Sequence, residues 1–212
     1  MSELMDITGF ILKGSLITIE LFFITAIFSI PLGGIVAVGK ISKIKPLKAI
    51  LSLYTWAFRG TPLLLQLFFT YFGLPVIGIR LSPLAAASLA FTINYAAYLA
   101  EIFRAGIESI DKGQFEAAKA LGMNYYETIT RIIIPQAIRN VLPAVCNESI
   151  NLVKDSALVA TIGVGDLLRA AKEVVTRDFT ITPFFIAAAL YLLITSVLVI
   201  GFRQLEKKYS VK

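Results

Sequence analysis

The chain has 212 residues, of which 57% are hydrophobic and 16% charged, and its mean hydropathy is +0.79. Charged residues make up about a quarter of a typical soluble domain, so this composition excludes one and indicates an integral membrane protein. The chain has one cysteine and no histidine. These counts exclude an internal disulfide and argue against the usual zinc sites and Ser-His-Asp chemistry.

Five apolar runs are each long enough for the roughly 20 residues that cross a bilayer as a helix. Lipid offers backbone polar groups no partner outside their own segment, so each run predicts a transmembrane helix. The predicted spans cover residues 14–38, 49–74, 81–103, 137–162 and 181–202. We therefore expect an all-α integral membrane fold in which residues 1–212 form a single domain.

Lysine and arginine are concentrated after the first, third and fifth predicted spans, which the positive-inside rule places in the cytoplasm. The basic residues are Lys40, Lys43, Lys45 and Lys48, several between Arg104 and Arg139, and Arg203, Lys207, Lys208 and Lys212. The N-terminal stub carries Glu3 and Asp6 and lacks the positive region of a signal peptide. We expect an N-terminus outside, a C-terminus inside, and a net charge of +6 that needs no nucleic-acid partner.

The second predicted span is interrupted at Arg59-Gly60-Thr61-Pro62. A proline disfavours helical backbone at the residue before it, so the chain is expected to open at Thr61 and expose unpaired donors. The carboxylate of a small ligand could bind there, with Arg59 and Thr61 as contacts. The alternative is a kink that only allows helices to pack closely.

Polar residues recur at helical spacing on the third predicted span, at Asn94, Tyr98 and Glu101. They form a second polar face that could contact a ligand. Glu101 lies near the cytoplasmic end of this span. A solvated carboxylate, or one paired with Arg104, is the alternative reading for it.

The fourth predicted span carries Glu148, Asn151 and Asp155 on one face, because seven residues are two helical turns. A charge at the membrane centre costs about 2.5 to 3.5 kcal/mol, so each carboxylate should face a partner or a wet cavity. Two carboxylates and an amide suit a guanidinium or ammonium group. The alternative is structural pairing with a basic residue of the chain, for which Lys154, Arg59 and Arg104 are available.

Residues 112–135 interrupt the apolar sequence with a predicted helix, a break and a second helix. The break is expected at Gly122, where a helix would end in the left-handed conformation that glycine adopts cheaply. Asn124 and Glu127 have the spacing of a cap that opens the next helix. The alanines of the first helix leave a flat face for another protein, although an amphipathic interfacial helix is the simpler alternative.

Three sequence blocks resemble a known family. Glu116-Ala117-Ala118, three residues, Gly122, nine residues and then Ile132-Ile133-Ile134-Pro135 resemble the EAA loop of ABC importer permeases, with Ile134 in place of leucine. The stretch from Arg59 to Gln66 is similar to the R-G-T-P-L-L-x-Q signature of the polar amino acid branch. Lys154-Asp155-Ser156-Ala157-Leu158 is similar to its K-D-T-S-L block, with Ser-Ala replacing Thr-Ser.

The resemblance implies a type I ABC importer permease, not an enzyme, in the cell or inner membrane. Its EAA helix, with Glu116, Ala117, Ala118 and Gly122, would couple to a cytoplasmic ABC ATPase dimer. The other implied partners are a second permease copy or paralogue and an extracytoplasmic amino acid-binding protein, which would dock on outer loops including residues 166–178. ATP and Mg would bind the ATPase, since this chain has no G-x-x-x-x-G-K-[ST] loop and is expected to bind no cofactor or metal.

The acidic face on the fourth span predicts a basic amino acid substrate, with arginine ahead of lysine and histidine. Glutamine is the runner-up, because a neutral substrate would leave both carboxylates without a ligand partner. A secondary carrier or channel would share the apolar spans and buried charges but needs no coupling helix. An intramembrane enzyme would have only carboxylates, lysine or tyrosine for its chemistry.

Overall fold

A computed structural model describes residues 2–209, and the side chains of residues 4–208. Lys212 and the side chain of Glu3 lie outside the described residues, although the charges of both residues were used to predict the orientation in the membrane. Between residues 2 and 209 all regular structure is helical. The α-helices are α1 Ser2–Ile41, α2 Lys45–Gly60, α3 Leu63–Phe68, α4 Pro83–Glu108, α5 Lys112–Ala120, α6 Tyr125–Glu127, α7 Ile134–Asp155, α8 Leu167–Asp178 and α9 Thr182–Tyr209.

Three described helices are long and apolar enough to cross a membrane: Leu4–Ile41, Pro83–Glu108 and Thr182–Lys208. The predicted span 49–74 is not one straight helix, because α2 and α3 meet at an angle of 104° and together would make a fourth span. Short π- and 3-10 segments continue α3 to Ile77. The predicted span 137–162 corresponds to α7 and the 3-10 segment Ser156–Ile162 that follows it. The polar residues of α7 make it less apolar than the three long helices named above.

The first helix packs along α4, which lies at the centre of the bundle. Small residues allow the close approach: a side chain added at Gly33 of α1 would meet Leu99 Cβ of α4 at 2.9 Å. The main apolar core brings Leu21, Leu67, Phe91 and Leu152 together from α1, α3, α4 and α7. This core fixes the break between α2 and α3 against α4 and α7.

The predicted outer loop 166–178 is instead a helix, α8. Asp166 begins it as an N-cap, and its buried carboxylate accepts hydrogen bonds from the backbone N–H groups of Leu168 and Arg169, both at 3.1 Å. The hydroxyl of Tyr191 in α9 donates to the same carboxylate at 3.2 Å. The side chain of Asp166 therefore ties α8 to the last long helix.

The predicted helix–break–helix element is confirmed in its local geometry. Gly122 has φ +76°, and Asn124 and Glu127 form the two reciprocal hydrogen bonds of a capping box. The second helix does not end at residue 135, the predicted end of this segment, because α6 continues through a π-helical segment, Thr128–Ile133, directly into α7. The element after the break is thus the beginning of the helix that carries Glu148 and Asp155.

Candidate functional site

The predicted opening of the backbone lies between α2 and α3. The second helix ends at Gly60, and Thr61 is extended, with φ −116° and ψ 147°. Pro62 then begins the turn into α3. The local rule for residues before proline explains this break, since helical backbone at Thr61 would clash with the Pro62 ring.

Side chains satisfy the carbonyl groups that the break leaves without helical partners. The carbonyl of Phe58 accepts from Gln66 Nε2 at 2.9 Å and from Asn94 Nδ2 at 2.9 Å. Gln66 Nε2 also donates to the carbonyl and the hydroxyl of Thr61, at 3.2 and 2.8 Å. Because buried acceptors without a donor are costly, these two amides hold the opened backbone in one conformation.

A cavity of about 650 Å³ lies between this break, α4 and α7. Seven of the eight predicted substrate contacts line it: Arg59, Thr61, Asn94, Tyr98, Glu148, Asn151 and Asp155. Leu63 and Leu64, the first residues of α3, also line it. The fold therefore brings the three separately predicted polar groups, on the second, third and fourth spans, to one place.

The cavity contains opposite charges that do not neutralise one another directly. Glu148 and Asp155 take part in none of the ion pairs formed by residues 4–208, so structural pairs with Lys154, Arg59 or Arg104 are absent there. The Arg59 guanidinium lies 5.4 Å from the centre of the Tyr98 ring. Such a cation–π contact holds the cation in position while leaving its N–H donors available to a ligand.

Two neighbouring tyrosines complete the polar wall. The hydroxyl of Tyr95 donates to Asp155 Oδ2 at 2.7 Å, and that of Tyr98 donates to the Arg59 carbonyl at 3.3 Å. A cavity with a cation at one wall and carboxylates at another can bind a small zwitterion with a polar or cationic side chain.

Glu101 lies outside this cavity. It forms ion pairs with Lys40 and with Arg104, the latter at 2.8 Å, and accepts a hydrogen bond from Thr55 Oγ1 at 2.9 Å. The predicted pair with Arg104 is confirmed. The predicted orientation counted Lys40 among the loop lysines. In the structure it is the penultimate residue of α1 and is only 7% exposed. Glu101 therefore joins α1, α2 and α4.

Sequence reasoning did not select Gln66 or Tyr95 as site residues. Gln66 belongs to the quoted signature. A polar amide four residues after Pro62 in an apolar segment indicates a side chain that donates to the carbonyls of the opened backbone. Tyr95 stands beside Asn94, but no local pattern connects it to Asp155, which is 60 residues away.

The predicted coupling residues lie on and after α5. Glu116, Ala117 and Gly122 are exposed, whereas Ala118 is only 3% exposed. Ala118 therefore packs within the chain and does not contribute to a flat outer face. The exposed surface also includes three large side chains, Leu121, Tyr125 and Tyr126.

An all-helical fold with membrane-spanning helices, a charged cavity between them and an exposed polar helix is the architecture of a membrane transport subunit, and a family match agrees with it. Residues 29–211 match the family described as "Binding-protein-dependent transport system inner membrane component". The chain belongs to this family and is a permease subunit of an amino acid ABC transporter.

Similar proteins are named for different substrates. The arginine transport system permease protein ArtQ of Bacillus subtilis is 42% identical over 201 residues, which are 94% of this chain and 92% of that protein. The Rickettsia felis protein GlnP, named for glutamine transport, is 40% identical over 204 residues, 95% of this chain and 94% of that protein. A solved amino acid ABC transporter, described as containing histidines, superposes with a TM-score of 0.91 at 38% identity and covers 97% of both chains.

Proposed function

We propose that this chain forms the translocation path for a basic amino acid, with arginine preferred. The observation that carries the proposal is the cavity in which Arg59 and two carboxylates without ion-pair partners face a common space. The Arg59 guanidinium, beside the opened backbone at Thr61, would receive the substrate carboxylate. Glu148 and Asp155, with Asn151 between them, would receive its cationic side chain.

Glutamine is the second candidate. Asp155 already accepts a hydrogen bond from Tyr95, and Asn94 and Asn151 supply neutral polar groups to the cavity. A carboxamide could bind there without a full ionic contact. Similar proteins named for arginine and for glutamine match this chain at nearly the same identity, 42% and 40%, so relatedness does not decide between them.

The permease would act within a larger assembly. Five spans, α1, the bent pair of α2 and α3, α4, α7 and α9, would pack against a second permease copy or paralogue. With the C-terminus in the cytoplasm and the N-terminus outside, Glu116, Ala117 and Gly122 would contact an ATPase dimer that binds ATP and Mg. The opposite side, including α8, would receive an extracytoplasmic amino acid-binding protein.

The test is reconstitution of the permease with its ATPase and binding protein in vesicles, followed by a screen of the twenty amino acids. Arginine is expected to stimulate ATP hydrolysis and to accumulate inside vesicles most strongly. Stimulation by neutral amino acids alone would contradict the basic-substrate proposal. Uptake without any dependence on the ATPase would contradict the coupling proposal and favour a secondary carrier or channel.

A further inference from the structure

A second cavity, of about 530 Å³, lies at the end of the bundle where the α1–α2 loop is found. It is separate from the substrate cavity and shares no lining residue with it. Its walls are mostly aliphatic and come from the end of α1, the end of α4, the π-helical segment and the first residue of α7, with Tyr125 of α6 as the one aromatic lining residue. The aliphatic lining residues are Val38, Ile41, Ile107, Ile129, Ile133 and Ile134.

This groove opens to the surface. Val38 is 63% exposed, whereas Ile133 at its base is fully buried. The 26 residues of α4 make a helix about 39 Å long, close to the thickness of a bilayer with its headgroups, so its end lies near the headgroups and upper acyl chains. The first helix packs along α4 and forms the other side of the groove at this depth. An aliphatic groove at that depth fits a hydrocarbon chain, which needs no hydrogen-bond partner.

Polar groups suited to a phosphate lie at the edge of the same groove. Ser42 and Lys43 both line it. The buried hydroxyl oxygen of Ser42 has no hydrogen-bond partner among the described residues. Lys43 is exposed and forms no ion pair in the part of the chain that the structure describes.

The charge around this edge is of one sign. The segment 40–48 contains four lysines and no acidic residue, and one of them, Lys40, is already paired with Glu101. The remaining lysines leave a positive field beside an aliphatic groove and an unused hydroxyl. An anionic phospholipid matches all three features, whereas a neutral lipid or a purely apolar peptide matches only the aliphatic walls.

We propose that this groove is a binding site for an anionic phospholipid of the leaflet beside the α1–α2 loop. An acyl chain lies between Val38, Ile107 and Ile134. The lipid phosphate accepts a hydrogen bond from Lys43 Nζ and, once the Ser42 side chain turns toward the groove, from Ser42 Oγ. The bound lipid fills the space between α1 and the π-helical segment that precedes α7, so it stabilises the junction between the EAA segment and the bundle.

The test uses the full chain purified with its ATPase, and measures bound lipid by native mass spectrometry. The probes are phosphatidylglycerol and phosphatidylcholine with identical acyl chains. We expect one tightly retained phosphatidylglycerol for each copy of this chain, with phosphatidylcholine retained much less. One lysine near an anionic lipid changes binding by about fivefold. Lys43→Gln is therefore expected to lower phosphatidylglycerol occupancy by about that factor.

Matched variants separate a built site from general surface charge. Lys48→Gln removes the same charge outside the groove and should lower occupancy much less than Lys43→Gln does, while Lys43→Arg should preserve occupancy. Val38→Trp fills the groove from an exposed position and should exclude the lipid without unfolding the complex, whose intact mass is read in the same spectrum.

Three results would overturn the proposal. Equal losses in Lys43→Gln and Lys48→Gln would show diffuse attraction of lipid to the lysine loop. Full retention in Val38→Trp would place the lipid elsewhere. Retention by the isolated chain but not by the complex with the ATPase would show that a protein covers this groove. None of these outcomes depends on which amino acid is transported.

Discussion

Gln66 and Asn94 meet across the break between α2 and α3, where Asn94 Nδ2 donates to Gln66 Oε1 at 3.0 Å. The same two side chains share the carbonyl of Phe58 as an acceptor. The opened backbone beside the 650 Å³ cavity is therefore fixed to α4 by amides rather than by helical hydrogen bonds. Arg59 and Thr61 owe their positions in the cavity to this contact.

We expect Gln66→Leu to impair transport although Gln66 does not line the cavity. Loss of its amide removes the hydrogen bonds to the Phe58 carbonyl and to Thr61, and each such bond contributes about 0.5 to 1.5 kcal/mol. The half-buried Phe58 carbonyl keeps only its bond from Asn94. The half-saturating substrate concentration for stimulated ATP hydrolysis should rise, and the unfolding temperature should fall.

Thr70→Val is the matched control. The Thr70 hydroxyl donates to the Gln66 backbone carbonyl at 2.8 Å, so this substitution removes a hydrogen bond near Gln66 but none from the break. It should leave the half-saturating concentration near that of the wild type. An unchanged value in Gln66→Leu would show that the break keeps its form without the Gln66 amide.

Glu148→Gln should reduce arginine transport about tenfold or more and change glutamine transport little. The substitution keeps shape and hydrogen-bonding capacity but removes the charge, and a hydrogen bond to a charged group contributes about 1.5 to 3 kcal/mol. The measurement is uptake of both amino acids by the same vesicles with the same binding protein. Equal arginine uptake by the wild type and Glu148→Gln would leave Glu148 without a cation-binding role.

Glu101→Gln is expected to lower stability and to leave substrate preference unchanged. Its carboxylate has an exposed fraction of 15%, and its partner Lys40 one of 8%. Breaking a buried ion pair leaves an uncompensated charge and costs about 3 to 5 kcal/mol. Thermal unfolding of the wild type and variant should show this loss, with Glu108→Gln on the exposed side of Arg104 as the control.

In that variant the ratio of arginine to glutamine uptake should equal that of the wild type. A changed ratio would return Glu101 to the set of substrate contacts, despite its position outside the cavity.

Gly122→Val should uncouple transport from ATP hydrolysis while membrane insertion persists. Gly122 has φ +76°, which a β-branched residue strongly resists, and no atom lies within 4 Å of an added Cβ. The effect is therefore one of backbone conformation and not of crowding. Gly122→Asn is the control, because asparagine tolerates this conformation better than most residues.

The number of amino acids transported per ATP hydrolysed is the measurement for both variants. We expect a clear loss for Gly122→Val and a much smaller one for Gly122→Asn. Unchanged ATPase binding and substrate-stimulated hydrolysis in Gly122→Val would contradict the coupling role of this segment.

Local chemistry was readable from the sequence wherever one residue type determines the backbone. Gly122, the Asn124–Glu127 cap and the opening before Pro62 are examples, and each has the expected conformation. Helical spacing likewise placed Glu148, Asn151 and Asp155 on one face. The size of the bend at Thr61 was not predicted, because it depends on how α3 packs against the rest of the bundle.

Contacts between distant residues could not be read in the same way. Lys40 and Glu101 are 61 positions apart, and a lysine at the end of an apolar run is usually solvated, so the positive-inside rule counted it as a loop residue. The continuity of α6 with α7 was also missed. The predicted segment 112–135 ends at Pro135, but the π-helical segment Thr128–Ile133 leads directly into α7, with Pro135 as the second residue of α7.

The continuous helical course of the chain from Tyr125 to Asp155 makes one wall of the cavity part of the same rod as residues 125–135, the half of the EAA-like segment that follows the break at Gly122. The opposite wall, with Arg59 and Asn94, belongs to α2 and α4, which Gln66 joins by hydrogen bonds. A tilt of the rod at its membrane-surface end would directly change the distance between Glu148 and Arg59. Such a tilt would change the affinity of the cavity for its ligand. The π-helical segment and Pro143 are the places where the rod can bend.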